Sequence, residues 1–300
     1  MLNILIAGRG PVGLALAALS QTSSDLTSMV VGRHQTVEKG PWSVEYLDSQ
    51  TKFSQQMTYI AKPFPIAATH ILFIAVKAYD LRQCLRELLP ELPSGCPVVY
   101  LGNGFVEDIL SETAQTFTHV LVRPGICTYG AKRPNRSQVI SLTAGSVFWG
   151  PLDDSAPTTT ETALTQSLKP WFSWDAQCHL RVQKKWIFSC SLNSLCALLQ
   201  LSRNGLALEH LEDLRKIFEE AWILGQRVFN RPWPWPKDEL WQSLLDLIAI
   251  TKENENSMVQ DLRNGRPTEL PFLAGLSLPH ADLKLLHKVV KAITSQASAR

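Results

Sequence analysis

The feature that most constrains this chain lies at its start. Residues 2–7, LNILIA, form an unbroken apolar run, followed at once by GRGPVG and then by the Ala/Leu-rich stretch Val12–Leu19. A short apolar run bounded by glycine fits a strand buried on both faces of a parallel sheet. Gly8, Gly10 and Gly13 keep the G-x-G-x-x-G spacing. In a strand–turn–helix unit the first glycine allows the tight turn and the second lets a pyrophosphate approach the backbone. The third lets the helix pack on the strand. The helix opening at Pro11 and Val12 offers backbone N–H groups and a partial positive charge to phosphate. A dinucleotide is the expected ligand of this turn.

The next strand reads as Thr27–Val31 and bears on which dinucleotide is bound. Where an NAD site carries an acid about 20 residues past the glycines, to hold the ribose 2′-hydroxyl, this chain has Arg33, in VVGRHQ. A guanidinium suits a 2′-phosphate, so NADP(H) is the expected cofactor. Ile71–Val76 and Pro97–Leu101 read as further buried strands, with a helix near Leu81–Leu89 between them. Val120–Arg123 and Val139–Trp149 are strand candidates, the latter alternating like an exposed antiparallel pair. A helix is expected to start near Thr160, after the loop DDSAPTTTET. Strands alternating with helices predict an open α/β sheet of the Rossmann type. Ligands of such sheets bind at the carboxyl ends of the strands. Lys77 and Asn103 follow the third and fourth of these strands and are therefore candidate ligand contacts.

After about residue 175 the pattern becomes almost wholly helical. A long amphipathic stretch at 206–229 is broken by PWPWP at 232–236, and helices are expected near 237–251, 253–263 and 279–296. The chain thus divides into a dinucleotide-binding domain at 1–176 and an all-α domain at 177–300. On the helix Lys184–Gln200 the polar residues Lys185, Ser189 and Asn193 recur at i, i+4 and i+8. At about 100° per residue they form one stripe roughly 12 Å long. Lys184 lies about 180° from Asn193, off that stripe, and is expected to be solvated. A second polar cluster, NSMVQDLRNGRPTEL, places Ser257 four residues before Asp261, and Glu269 beyond a Gly-Arg-Pro break.

Composition removes several other classes. Apolar residues make up 45% and charged residues 19%, which excludes a disordered chain. Twenty-nine basic against 27 acidic residues leave a net charge of +2, without the basic excess of a nucleic-acid domain. No apolar run reaches the roughly 18 residues of a membrane span. The apolar N-terminus lacks a basic leader and is interrupted by Arg9, which argues against a signal peptide. The six cysteines contain no C-x-x-C pair and read as reduced core thiols of a cytoplasmic protein. No metal site is expected.

Five blocks occur in an order that resembles the ketopantoate reductase (2-dehydropantoate 2-reductase) family. They are GRGPVG, VKAYD after the third strand, GNG after the fourth, KxxxSxxxN on the first long helix, and SMVQDLRNGRPTEL. The resemblance covers nearly the whole chain. It implies NADPH-dependent reduction of a 2-oxo acid, with Lys185 as proton donor to the ketone oxygen and Glu269 assisting. Asn103, Ser189, Asn193 and Ser257 would hold the substrate. Gly8, Gly10, Pro11, Val12, Gly13, Arg33, Lys77 and Asn103 would serve the cofactor. The small-molecule partner would be a 2-oxo acid, and the state a monomer or homodimer. Two positions depart from the family pattern. Ser189 stands where asparagine is frequent, and Phe105-Val106 follows Asn103-Gly104 in place of a second glycine. Ketopantoate, another 2-oxo acid, and a non-catalytic NADPH-binding role all remain open at this level.

Overall fold

The computed structural model of the protein describes residues 1–32, 42–46, 57–59, 64–135, 138–141, 145–230 and 232–298. Arg33 lies outside the described residues. The chain forms two compact units, Met1–Gly102 with Glu107–Val182, and Asn103–Val106 with Gln183–Arg300.

The first unit is α/β. Its elements are β1 (Leu2–Ala7), α1 (Pro11–Ser20), β2 (Leu26–Val31), β3 (Trp42–Tyr46), β4 (Met57–Tyr59), β5 (Ile71–Ile74), α2 (Leu81–Leu88) and β6 (Pro97–Tyr100). They continue with α3 (Glu107–Thr116), β7 (Leu121–Cys127), β8 (Ala131–Asn135), β9 (Gln138–Ser141), β10 (Val147–Trp149), α4 (Thr159–Ser167) and β11 (Phe172–Trp174). The main sheet has seven strands in the order β11-β10-β7-β6-β5-β1-β2. β1 runs parallel to both β2 and β5, with Leu5 beside Met29 on one side and Leu72 on the other. The chain therefore leaves β1 toward β2 and later returns to its other side. That makes the carboxyl end of β1 the topological switch point of the sheet.

A second sheet of four strands, β4-β3-β9-β8, went unrecognised in the sequence. Val139–Trp149 was expected to be one exposed antiparallel pair. Instead β9 joins this second sheet, while β10 pairs antiparallel with β7 in the first. Neither end is exposed: Val139 is as fully enclosed as Val147 and Trp149, and the two ends reach the same core from different sheets. Val147 and Trp149 are fully buried, and Trp149 meets Phe73 and Phe172 edge to face at 5.9 and 6.1 Å.

The second sheet also explains α1. This helix packs on β1 and β2 and also on β8 and β9, and Gly13 to Ser20 are all buried. A helix apolar all round needs cover all round. Its buried hydroxyl at Ser20 is satisfied by the Ala17 carbonyl at 2.7 Å and by the Ser28 hydroxyl at 2.6 Å. The one buried charge pair of this unit among the described residues is also fully bonded. The Arg123 guanidinium donates to Glu161 Oε1 at 3.1 Å and Oε2 at 3.4 Å, and to Ser155 Oγ at 2.8 Å. Glu161 also accepts from Trp149 Nε1 and, as the third helical residue, closes a capping box with Thr158.

The second unit is all-α: α5 (Cys178–Leu199), whose first turns belong to the first unit, α6 (Leu211–Val228), α7 (Lys237–Ile250), α8 (Ser257–Arg263) and α9 (Lys284–Ser298). The expected helix at 206–229 begins with a 3-10 segment, Asn204–His210, before α6. The expected helix at 253–263 is shortened to α8. Residues 202–205 and 252–256 pair there through backbone bonds such as Asn256 N–H to Ser202 O at 3.0 Å. Two of those bonds, from Asn204 and Gly205 N–H, occupy the Asn254 and Lys252 carbonyls, acceptors that a longer helix would need. The core gathers Trp186, Ile187, Leu195, Phe218, Leu224, Leu244 and Leu286. The Glu220 carboxylate of α6 accepts from the first-turn N–H groups of Leu285 and Leu286, at 3.0 and 2.8 Å, and so caps α9. No helix among the described residues is long and apolar enough to cross a membrane.

Candidate active site

The glycine turn joins β1 to α1 at the switch point. Gly8 holds φ at +124°, and a Cβ there would lie 2.7 Å from the Ala75 carbonyl oxygen. Its N–H donates to Val31 O at 2.9 Å, which ties the turn to the end of β2. A Cβ on Gly13 would come within 2.1 Å of the Gly8 carbonyl oxygen, so α1 can sit this close to the turn only with glycine. Gly10 is different: a Cβ there would meet nothing within 4 Å. Gly10 is the N-cap residue of α1, without a side-chain cap, and Pro11 opens the helix. The Val12 and Gly13 N–H groups at a helix start have no intrahelical acceptor. Two glycines are thus demanded by the protein's own packing, and the middle one faces open space. That arrangement fits a dinucleotide pyrophosphate laid on the turn. Lys77 is half-buried and follows the Ala75–Val76 segment that approaches Gly8, so it stands at the same carboxyl edge of the sheet.

In the second unit, Lys185, Ser189 and Asn193 are half-buried along α5. Lys184 is also half-buried, which corrects the expectation of a solvated lysine. Its Nζ donates to Ser243 Oγ of α7 at 3.1 Å and lies 5.3 Å from the Trp235 ring centre. The Asn193 side chain turns elsewhere, toward α8. Its Oδ1 accepts from Asn256 Nδ2 at 3.0 Å. That bond fixes the orientation of the Asn193 carboxamide and leaves its Nδ2 to donate.

Asn256, the partner of Asn193, is a residue of this region that sequence reasoning missed. It is buried and performs two tasks at once. Its Oδ1 caps α8 by accepting from the N–H groups of Met258 and Val259, at 3.2 and 3.3 Å. Its Nδ2 donates to Asn193 Oδ1 and, at 3.3 Å, to Asn204 Oδ1. Asparagine before Ser-x-x-Gln was a readable cap signal. Ser257 follows as the exposed first residue of α8.

The end of α8 sets up Glu269. Gly265 has φ +62°, its N–H donates to Leu262 O, and Arg266 N–H donates to Asp261 O at 2.8 Å. This pair of bonds closes the helix, as a left-handed glycine commonly does. Pro267 then prevents any continuation. Asp261 is engaged by the Arg266 side chain at 3.1 Å. Glu269 is buried, and its Oε2 accepts from Asn103 Nδ2 at 3.5 Å. The Phe272 carbonyl gathers this region, accepting from Phe105 N–H at 2.7 Å and from Trp186 Nε1 at 3.0 Å. Asn103–Val106, the Glu269–Phe272 turn and the start of α5 beside Lys185 are thereby tied together. Phe105, the residue that departs from the family pattern, places its ring edge-on to Phe229 with centres 5.1 Å apart. Its side chain is part of the helical core. Among the described residues no cluster of three metal-ligating side chains occurs.

A glycine turn at the switch point of a parallel sheet, followed by an all-α unit carrying buried polar residues, defines a two-unit protein of the Rossmann-type dinucleotide-binding class. The chain belongs to the ketopantoate reductase family. The family model described as ketopantoate reductase PanE/ApbA matches residues 4–154, and its C-terminal counterpart matches residues 179–294. The chain is 25% identical to the 2-dehydropantoate 2-reductase of Salmonella typhi over 282 residues, covering 93% of this chain and 88% of that one. It resembles the crystal structure of probable 2-dehydropantoate 2-reductase from Bacillus subtilis, with TM-score 0.70 and 24% identity over 98% of this chain and 100% of that one. The fold is shared with D-mandelate dehydrogenase in complex with NADH and anilino(oxo)acetate, with TM-score 0.78 and 13% identity over 99% of each chain.

Proposed function

We propose that this chain reduces 2-dehydropantoate to pantoate with NADPH, a step of pantothenate biosynthesis. The observation that carries this reading is the Asn103–Glu269 hydrogen bond. It joins two motif residues 166 positions apart, one from the strand-end GNG block and one from the closing block of the chain. Asn103 would lie by the nicotinamide and the substrate. The glycine turn, with Gly8, Gly10, Pro11, Val12 and Gly13, would hold the pyrophosphate, and Lys77 and Arg33 would serve the rest of the cofactor. Bound NADPH would supply a hydride to the carbonyl carbon. The protein's part is to orient the substrate and to deliver one proton to the carbonyl oxygen, so that ketone becomes alcohol. Lys185 is assigned that proton, since an ammonium first polarises the C=O and then donates. Glu269 is assigned the assisting role beside it. Ser189, Asn193 and Ser257 hold the substrate, and the fixed Asn193 carboxamide presents its Nδ2 as a ready donor.

Ser189 favours a second reading. A serine in place of the family's frequent asparagine shortens the reach toward a substrate hydroxyl, so another 2-oxo acid could be the better substrate. Turnover of purified protein with NADPH and a panel of 2-oxo acids tests both. Highest kcat/KM for ketopantoate supports the first reading, and highest kcat/KM for a different acid supports the second. No turnover of any 2-oxo acid overturns both.

A further inference from the structure

We propose that Arg9, inside the glycine turn, is a specificity-determining residue that holds the 2′-phosphate of NADPH. The inference rests on the NADPH reading above. Arg9 is the residue between the first two glycines and is exposed. Its side chain does not point away from the fold. It crosses the end of β2, where a Cβ at Gly32 would come within 2.4 Å of Arg9 Nε and 3.0 Å of Arg9 Cζ. Gly32 directly follows β2. In sheets of this topology the adenosine ribose lies at the end of the second strand, where an acid meets a 2′-hydroxyl or an arginine meets a 2′-phosphate. The Arg9 guanidinium therefore occupies the discriminating position although it comes from the turn.

Two further observations agree. The turn that carries Arg9 is tied to the end of β2, because the neighbouring Gly8 N–H donates to Val31 O at 2.9 Å. A second guanidinium, from Arg133 of β8, donates to the Arg9 carbonyl oxygen at 2.9 Å. This bond anchors the Arg9 backbone and brings another positive charge to the same turn. A planar guanidinium on an anchored backbone suits a phosphate dianion.

The test is calorimetric binding of two adenosine fragments to the full chain, adenosine 2′,5′-bisphosphate and adenosine 5′-monophosphate. The fragments carry no nicotinamide, so turnover plays no part. Wild type, Arg9→Ala and Arg33→Ala are compared, with thermal midpoints confirming that each is folded. The proposal expects wild type to prefer the bisphosphate. Arg9→Ala should then lose roughly 10- to 100-fold in bisphosphate affinity, the size of a charge-assisted contact, with monophosphate binding unchanged. The proposal is overturned if Arg9→Ala keeps the wild-type preference while Arg33→Ala loses it. It is also overturned if Arg9→Ala weakens both fragments equally, since Arg9 would then only shape the turn. A wild type with no preference for the bisphosphate would remove the NADPH reading itself, which separates that failure from the failure of Arg9.

Discussion

At the scale of single residues, the two adjacent lysines of α5 offer the sharpest contrast. Lys184 is spent on packing, between Ser243 Oγ and the ring of Trp235. Its replacement by alanine should cost about 1–2 kcal/mol, from a lost hydrogen bond and a lost cation–π contact. Turnover should stay within a factor of a few. Lys185→Ala should instead lower kcat by roughly 10²–10⁴, the range of a positioned general acid, with little change in NADPH affinity. Steady-state kinetics and a urea titration on both variants decide it, and equal kinetic damage would remove Lys185 from its assigned role. Cysteine chemistry gives a second expectation at this scale. The six cysteines are free, and five are buried. Burial pushes the Cys96 and Cys196 thiols up to about 12 and raises Cys190 as well. A thiol whose pKa is raised remains protonated where an ordinary cysteine would ionise, so these three should resist alkylation through pH 9 in the native state. Mass spectrometry after iodoacetamide should find them modified only once the protein is unfolded.

At the scale of elements, the β1–α1 turn and the start of α8 show what was legible and what was not. The glycine spacing was readable as one short motif between an apolar run and a helix, although only Gly13 answers to a neighbour within it, the Gly8 carbonyl, while Gly8 answers to the distant Ala75 carbonyl. Gly13→Ala should therefore prevent normal folding of the first unit, despite alanine's better helix propensity. Gly10→Ala should fold with an unchanged midpoint, because a Cβ there meets nothing, and should weaken dinucleotide binding. Circular dichroism with a binding titration separates the two effects. The stripe Lys185–Ser189–Asn193 was also readable, since helical periodicity alone defines it. The role of Asn256 was not, because its partners Asn193 and Asn204 lie 63 and 52 residues away. The second sheet escaped for a similar reason, as β3 pairs with β9 across a long stretch of chain. The environment of Lys184 depends on α7 and was equally invisible. Asn256→Ala should destabilise by about 2–4 kcal/mol, combining a lost cap with acceptors left unpaired in the interior. Asn256→Ser should recover about 1 kcal/mol of that, because serine caps well but cannot reach Asn193. If alanine and serine were equally harmful, the cap would contribute nothing measurable.

At the scale of the whole molecule, stability and ligand binding should be separable within the first unit. The Arg123–Glu161 pair is buried, with Glu161 fully enclosed. Glu161→Gln leaves the guanidinium without its buried counter-charge, and breaking such a pair costs about 3–5 kcal/mol. Arg123 stands on β7, three strands from β1 in the sheet order. At about 4.8 Å per strand spacing it is roughly 14 Å from the strand that carries the glycine turn. Perturbations that far apart, with no shared partners, usually add independently. A ligand that binds only the folded state stabilises it by RT ln(1 + [L]/Kd), about 2.7 kcal/mol when free ligand is 100 times Kd. Glu161→Gln should therefore unfold at a lower temperature than wild type, yet gain the same increment when NADPH is added. Gly10→Ala should show the reverse, with a wild-type midpoint alone and a reduced increment with NADPH. Differential scanning calorimetry of the three proteins, each with and without NADPH, yields the four differences needed. Loss of the increment in Glu161→Gln would mean that the buried ion pair and the glycine turn are energetically coupled through the sheet. The first unit would then respond to its ligand as one cooperative body, and independence of the two sites would be wrong.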